Sequence, residues 1–156
     1  MVVELREMSQ SEIEACLSGV LEGYVAERIA AGQEEESARA TATAQHEQFF
    51  PDGRPASGHH LFAVIDAGRP VGHLWLGPQM SGTSSTWFIY DIEVDGALRG
   101  RGLGRATMEA AESWALEHDG TRLALNVFGP NRTARALYDS LGYQVMATLM
   151  FKDLDH

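Results

Sequence analysis

Cysteine is nearly absent: Cys16 is the only one in 156 residues, which excludes an internal disulfide and a cysteine-rich zinc site. Long apolar runs are missing too. The longest, residues 61–65, is five residues of Leu-Phe-Ala-Val-Ile, against the ~20 that a membrane-spanning helix needs. The first ten residues interleave Glu4, Arg6 and Glu7 with apolar neighbours and contain no signal-peptide core. Basic residues are few, 12 against 22 acids for a net charge of −10. Phosphate backbones are bound by clustered cations, so this balance argues against general nucleic-acid binding. A cytoplasmic protein with no membrane and no nucleic-acid partner is the expectation. At 44% hydrophobic and 22% charged residues, the composition is that of an ordered chain. A chain of this length buries roughly 68–70% of its unfolded surface, and residues 1–156 are read as one domain.

The charge is unevenly spread. Residues 1–66 hold twelve acids and four bases, whereas residues 67–156 hold ten and eight. Within the second part, residues 96–108 contain Arg99, Arg101 and Arg105 and no acid. Charge alone reads such an island as solvated arginines or as an anion site.

Periodicity orders the chain. Residues 2–8 read as a short strand. Ser9 and Glu12 have capping-box spacing, and Ile13, Leu17, Val20, Leu21 and Tyr24 then recur at helical steps out to about Ala30, with Gly32 as the stop. A second helix spans 34–50 with Ala38, Ala42 and Phe49 inward, followed by a loop of Pro51, Gly53, Pro55 and Gly58. Residues 61–66 and 71–76 flank Ala67-Gly68-Arg69-Pro70 as a β-hairpin. After a polar break at 81–85, residues 86–94 form a third long strand. A helix with Leu103, Ala106, Ala110 and Trp114 on one side comes next, then a strand at 123–128. Residues 133–141 are a short helix striped by Ala134, Leu137, Tyr138 and Leu141 and closed by Gly142. Residues 143–154 finish as strand or hairpin. The order is β-α-α-β-β-β-α-β-α-β, a mixed α/β fold.

Arg99-Gly100-Arg101-Gly102-Leu103-Gly104 falls between a strand and a helix. The first N–H groups of a helix lack internal partners, and the dipole is positive there, so such a turn can hold an anion. Glycines let the backbone approach phosphate oxygens, and arginines add charged donors. The expected ligand therefore carries phosphate. Spacing narrows it. A P-loop fails because Gly104 is followed by Arg105-Ala106, and a dinucleotide fingerprint fails because Arg105 stands where its third glycine belongs.

What does fit is R-x-x-G-x-G at Arg99, Gly102 and Gly104, which resembles the acetyl-coenzyme A loop of the GNAT superfamily of N-acetyltransferases. The preceding strand ends apolar-acidic-apolar, as in that family, at Ile92-Glu93-Val94. Asn131 follows the strand containing Leu125-Asn126-Val127-Phe128, and Ala134, Ala136, Leu137, Tyr138, Gly142 and Tyr143 match the family's closing order. The resemblance covers essentially the whole chain, with its motifs in residues 90–143. Two positions depart: Gly96 stands where many members carry proline, and Gly129-Pro130 is an unusual lead into Asn131.

The resemblance implies a single-domain fold with a mostly antiparallel sheet flanked by helices. It also implies acetyl-coenzyme A as co-substrate, no metal, and direct attack by a primary amine. Arg99, Gly100, Arg101, Gly102, Leu103, Gly104 and Arg105 would take the pyrophosphate. The main chain from Ile92 to Val94 would pair with the pantetheine arm like an added strand. Asn131 would bond the pantetheine or sulfur side, or cap the helix after it. An amine with a pKa near ~10.4 is neutral in about one molecule in 2,500 at pH 7, a handicap of roughly 4.6 kcal/mol. Glu93 is the candidate to take its proton, directly or through water. Asp91 shares that face of a regular strand, and a bulge, frequent here in the family, leaves open which of the two faces the acceptor. Tyr138 stands at the family's acid position and would protonate the leaving thiolate, though its stripe also suits a core aromatic.

The acid-rich first half leads to a cationic acceptor, a small molecule or a peptide amine. His59-His60 lacks two further ligands at metal spacing, and His46, His73 and His118 read as surface or structural. Cys16 reads as packing. The tryptophans read as core, with Trp75 and Trp87 candidates for the acceptor wall. Dimers are frequent in this family, so a homodimer is a further expectation. The competing readings are a coenzyme A-binding or protein-interaction module of the same fold.

Overall fold

The structure, a computed structural model, describes residues 1–80 and 85–155. The expected polar break at 81–85 lies, but for Ser85, outside the described residues. Five strands form one sheet in the order β1 (Glu4–Glu7), β2 (His60–Asp66), β3 (Arg69–Pro78), β4 (Thr86–Val94) and β5 (Arg122–Leu125). Neighbours are antiparallel except β4 and β5, which run parallel. The β2–β3 hairpin turns through Ala67 and Gly68, both at positive φ (48° and 78°), the geometry that matches strand twist in a two-residue loop.

Helices cover both faces. α1 (Gln10–Ala30) starts at the expected capping box: Glu12 N–H donates to Ser9 Oγ, and Ser9 N–H donates to Glu12 Oε1 at 3.1 Å. Arg6 adds a two-pronged ion pair to the same carboxylate, which with the capping bonds lowers the Glu12 pKa to about 2. α2 (Glu35–Phe49) lies on α1 with Ala38 and Ala42 fully buried beside Val25. This pair covers one sheet face, where Ile13, Val20, Phe49 and Phe50 close on Leu61 and Trp75. The other face carries Phe62, Val64, Leu74, Leu76 and Ile89 against α3 (Leu103–Glu117) and α4 (Arg132–Ser140). The alternation along β2 and β3 sends successive residues to opposite cores, so neither strand exposes a face.

The order agrees with the sequence reading through α4. The expected closing strand is absent: residues 144–155 carry no strand, and Met146, Leu149 and Met150 are almost fully exposed. The reason lies in the pattern. Apolar residues there come in adjacent groups, Val145-Met146 and Leu149-Met150-Phe151, so no strand register turns them all to one face. Tyr143 is held by the helix end, its N–H donating to the Tyr138 carbonyl and its hydroxyl to Glu112.

Candidate active site

β4 and β5 separate part-way along. Their parallel pairing ends at Ile89 opposite Leu125, and on the β5 side residues 90–94 have no strand partner among the described residues. A β-bulge sits at the same place: on β3, Trp75 pairs with Asp91 and Leu76 with Ile89, which leaves Tyr90 as the extra residue. A bulge bends its strand and redirects the side chains beyond it. Here it turns Asp91 and Glu93 to the α1–α2 side, opposite Trp75 and His73, while Ile92 pairs with Leu74 toward α3. The resulting cleft is lined by Glu27, Asp91, Asn126, Phe128, Asn131 and Tyr138, among others.

Tyr138 is 8% exposed, with its ring in the α3–α4 core. Among the described residues its hydroxyl has no hydrogen-bond partner, although it lines the cleft. Burial first, then the charges of Glu27 and Asp91, raise the phenol's pKa above its ordinary value. It is protonated at neutral pH. Asp91 accepts from His73 Nε2 at 2.5 Å. Burial pushes the His73 imidazole down, but hydrogen bonds to Asp91 and Cys16, with their charges, outweigh it and carry the pKa up to about 10. The sequence reading left His73 as a surface or structural residue. Its signal was there only in register, since position 73 lies opposite 93 and two residues before Trp75.

Glu93 stands outside the cleft lining, half-exposed, with Oε1 3.8 Å from Arg99 Nη2. Asp91 is therefore the β4 acid that meets the cleft. His73, Asp91 and Glu93 present donor atoms within 4.8 Å of one another. A divalent ion with ~2.0–2.1 Å bonds would need the His73–Asp91 contact opened to about 3.3 Å. Glu27, reached from α1, lines the cleft from the opposite side. Its pKa is raised by burial and by Asp91 and Glu93.

At the end of β4 the expected anion loop takes shape. Arg99 folds back, its Nε donating to the Val94 carbonyl at 3.1 Å. Gly100 and Gly102 adopt φ of 79° and 82°, a left-handed conformation costly for other residues. Gly102 is the N-cap of α3 and offers no side-chain cap, and among the described residues the first N–H groups of Leu103, Gly104 and Arg105 have no hydrogen-bond partner. Gly104 has a packing reason as well: a Cβ there would sit 3.3 Å from Leu137 Cδ2 on α4. Arg101 is exposed beside the loop, and Arg105 donates to Ser140 Oγ at 2.5 Å. Asn131 caps α4, its side chain accepting from Ala134 N–H at 3.2 Å, while also lining the cleft.

Trp75 and Trp87 do not line this cleft. Trp75 is buried, donating to His59 Nδ1 at 3.0 Å, and burial holds His59 down to about 4, a neutral acceptor. Trp87 faces α3, packed on Trp114 and donating to the His118 carbonyl.

A sheet splayed beside a glycine-rich strand-to-helix turn, with a phenol and carboxylates in the gap, defines a class of acyl-group transferases. The Acetyltransferase (GNAT) family profile matches residues 21–143. The Bacillus subtilis protein called uncharacterized N-acetyltransferase YdgE is 31% identical over 156 residues, 99% of each chain. YycN of the same organism is 28% identical over 99% of this chain and all of its own. The crystal structure of YycN superposes with a TM-score of 0.90, covering 99% of this chain and 100% of that one at 27% identity. At 14% identity and a TM-score of 0.60, covering all of both chains, the fold is also that of AAC(6')-Iy in complex with the bisubstrate analogue CoA-S-monomethyl-acetylneamine. The chain belongs to the GNAT family and is an N-acetyltransferase. Among the described residues no helix is long and apolar enough to cross a membrane.

Proposed function

We propose that this chain, residues 1–156 acting as one domain, transfers acetyl from acetyl-coenzyme A to a cationic primary amine by direct attack. The acceptor is a small molecule or a peptide amine. The observation that carries this reading is Tyr138: a buried phenol whose hydroxyl, without a hydrogen-bond partner among the described residues, opens into a cleft lined by Glu27 and Asp91. The open N–H groups at Leu103, Gly104 and Arg105, with Arg99 and Arg101, suit the pyrophosphate, and the unpaired side of residues 90–94 suits the pantetheine amides. The amine nitrogen attacks the thioester carbon, the C–S bond breaks, and Tyr138 gives its proton to the departing sulfur. The acceptor's own proton passes to the carboxylates at this end of the cleft. Glu93 matches the family's strand position; from outside the cleft lining it acts through a water. A cytoplasmic location accords with the single cysteine and the lack of a long apolar run. The test is a panel of cationic, neutral and anionic amines, scored by release of free coenzyme A thiol. Turnover confined to neutral or anionic acceptors would refute the charge preference, and no turnover with any amine would refute the reaction.

A further inference from the structure

Along α1, Ile13 and Val20 are buried seven residues apart, and Glu27 is the next residue on that step. Seven residues are nearly two helical turns, with a drift of about 20°, so Glu27 lies on the same side of α1 beyond the packed stretch, where it is exposed. Where Ile13 and Val20 meet the sheet, Glu27 meets the cleft.

The charges facing it can be accounted for one by one. Asp91 on β4 is engaged by His73 of β3 at 2.5 Å, and Glu93 on β4 is paired with Arg99 at 3.8 Å. His46 on α2 is half-buried, and burial lowers its pKa. Tyr138 on α4 is a protonated phenol. Arg28, next on α1, bonds to Tyr24 and Gln33 and lies over the Phe128 ring at 5.9 Å, without an ion pair to Glu27. Among the described residues, Glu27 has neither an ion pair nor a side-chain hydrogen bond. It is the one carboxylate of the cleft lining left uncompensated, and it sits in the same cavity as the Tyr138 hydroxyl.

We infer that Glu27 is a catalytic residue that receives the acceptor's ammonium and takes its proton as the nitrogen attacks. This rests on the amine-acetyltransferase reading above. The step balances: one N–H proton moves to a Glu27 oxygen, the freed lone pair forms the C–N bond, and the sulfur leaves with the Tyr138 proton. Burial and the neighbouring acids raise the affinity of Glu27 for a proton, which favours this use.

The experiment compares Glu27→Gln and Glu27→Asp with the wild-type protein in thiol release with a cationic amine, from pH 6 to 10. For Glu27→Gln, kcat/KM should fall ~100-fold or more at pH 7, in the usual range for a lost acid–base group. The deficit should then shrink as pH nears the amine's own pKa of ~10.4, because free amine no longer needs a base. Glu27→Asp should recover part of the rate, and KM for acetyl-coenzyme A should hold. Glu27→Gln within threefold of wild type, or a deficit that does not narrow with pH, would overturn the inference while leaving the acetyltransferase reading standing. A wild-type protein with no amine-dependent thiol release would overturn both. Should Glu27→Gln fail to fold, Glu27→Asp decides, and a wild-type rate and pH profile in that variant would refute the role.

Discussion

Replacing Tyr138 by phenylalanine deletes one oxygen from a ring held in the α3–α4 core. Because that hydroxyl has no hydrogen-bond partner among the described residues, no buried group is orphaned by its loss. The ring keeps its contacts. Stability should therefore change little, within the ±0.5 kcal/mol typical of substitutions that create no cavity, unpaired polar group or strain. Catalysis should change much more. The departing sulfur carries a full negative charge unless it is protonated as the C–S bond breaks, and a positioned acid is typically worth ~10²–10⁴ in rate. At 1.36 kcal/mol per tenfold, the barrier should rise by about 2.7–5.4 kcal/mol. Burial and the charges of Glu27 and Asp91 hold the phenol's pKa above its ordinary value, which keeps the acid protonated at neutral pH. The assay is steady-state thiol release, paired with calorimetry for acetyl-coenzyme A and a thermal melt. Cofactor affinity and melting temperature should hold while kcat drops. A kcat within threefold of wild type would show that Tyr138 serves only to pack α4 on the sheet.

Gly102→Asp places a side chain and a negative charge at the N-cap of α3, at a φ of 82°. Calorimetry should show at least a tenfold loss in acetyl-coenzyme A affinity, about 1.4 kcal/mol, and unchanged binding would remove this loop from the site. The His73–Asp91 pair predicts a pH-dependent stability. A histidine raised from 6.5 to about 10 stabilises the fold in full below the unfolded pKa and loses that contribution as pH rises through about 10. Melting temperature should decline across that window, and Asp91→Asn should flatten the decline; an equal slope in both proteins would refute the pairing. Finally, kcat/KM for a cationic acceptor should fall as ionic strength rises to physiological, where the screening length is about 8 Å. Indifference to salt would mean that the acids of residues 1–66 do not steer the acceptor.

The local signals were legible in the chain itself. Ser9 and Glu12 set the start of α1, Gly32 its end, and Gly100 and Gly102 the turn into α3, because caps and left-handed turns depend on neighbours within a few residues. The stripe Ala134, Leu137, Tyr138 and Leu141 packed against the sheet core as its spacing required. Family membership was legible too, since its motifs occupy the contiguous stretch of residues 90–143. The arrangement of the cleft was decided in three dimensions. A period-two pattern cannot mark which residue a bulge will displace, so only the pairing of β4 with β3 shows Tyr90 as the extra residue and Asp91 as the acid in the cleft. His73 and Asp91 are eighteen residues apart and meet solely through antiparallel register. Glu27 is exposed on α1, one seven-residue step beyond the buried Ile13 and Val20. It becomes a cleft residue because β4 and β5 part beside the end of α1, leaving that step of the helix with a gap to face instead of a packed sheet.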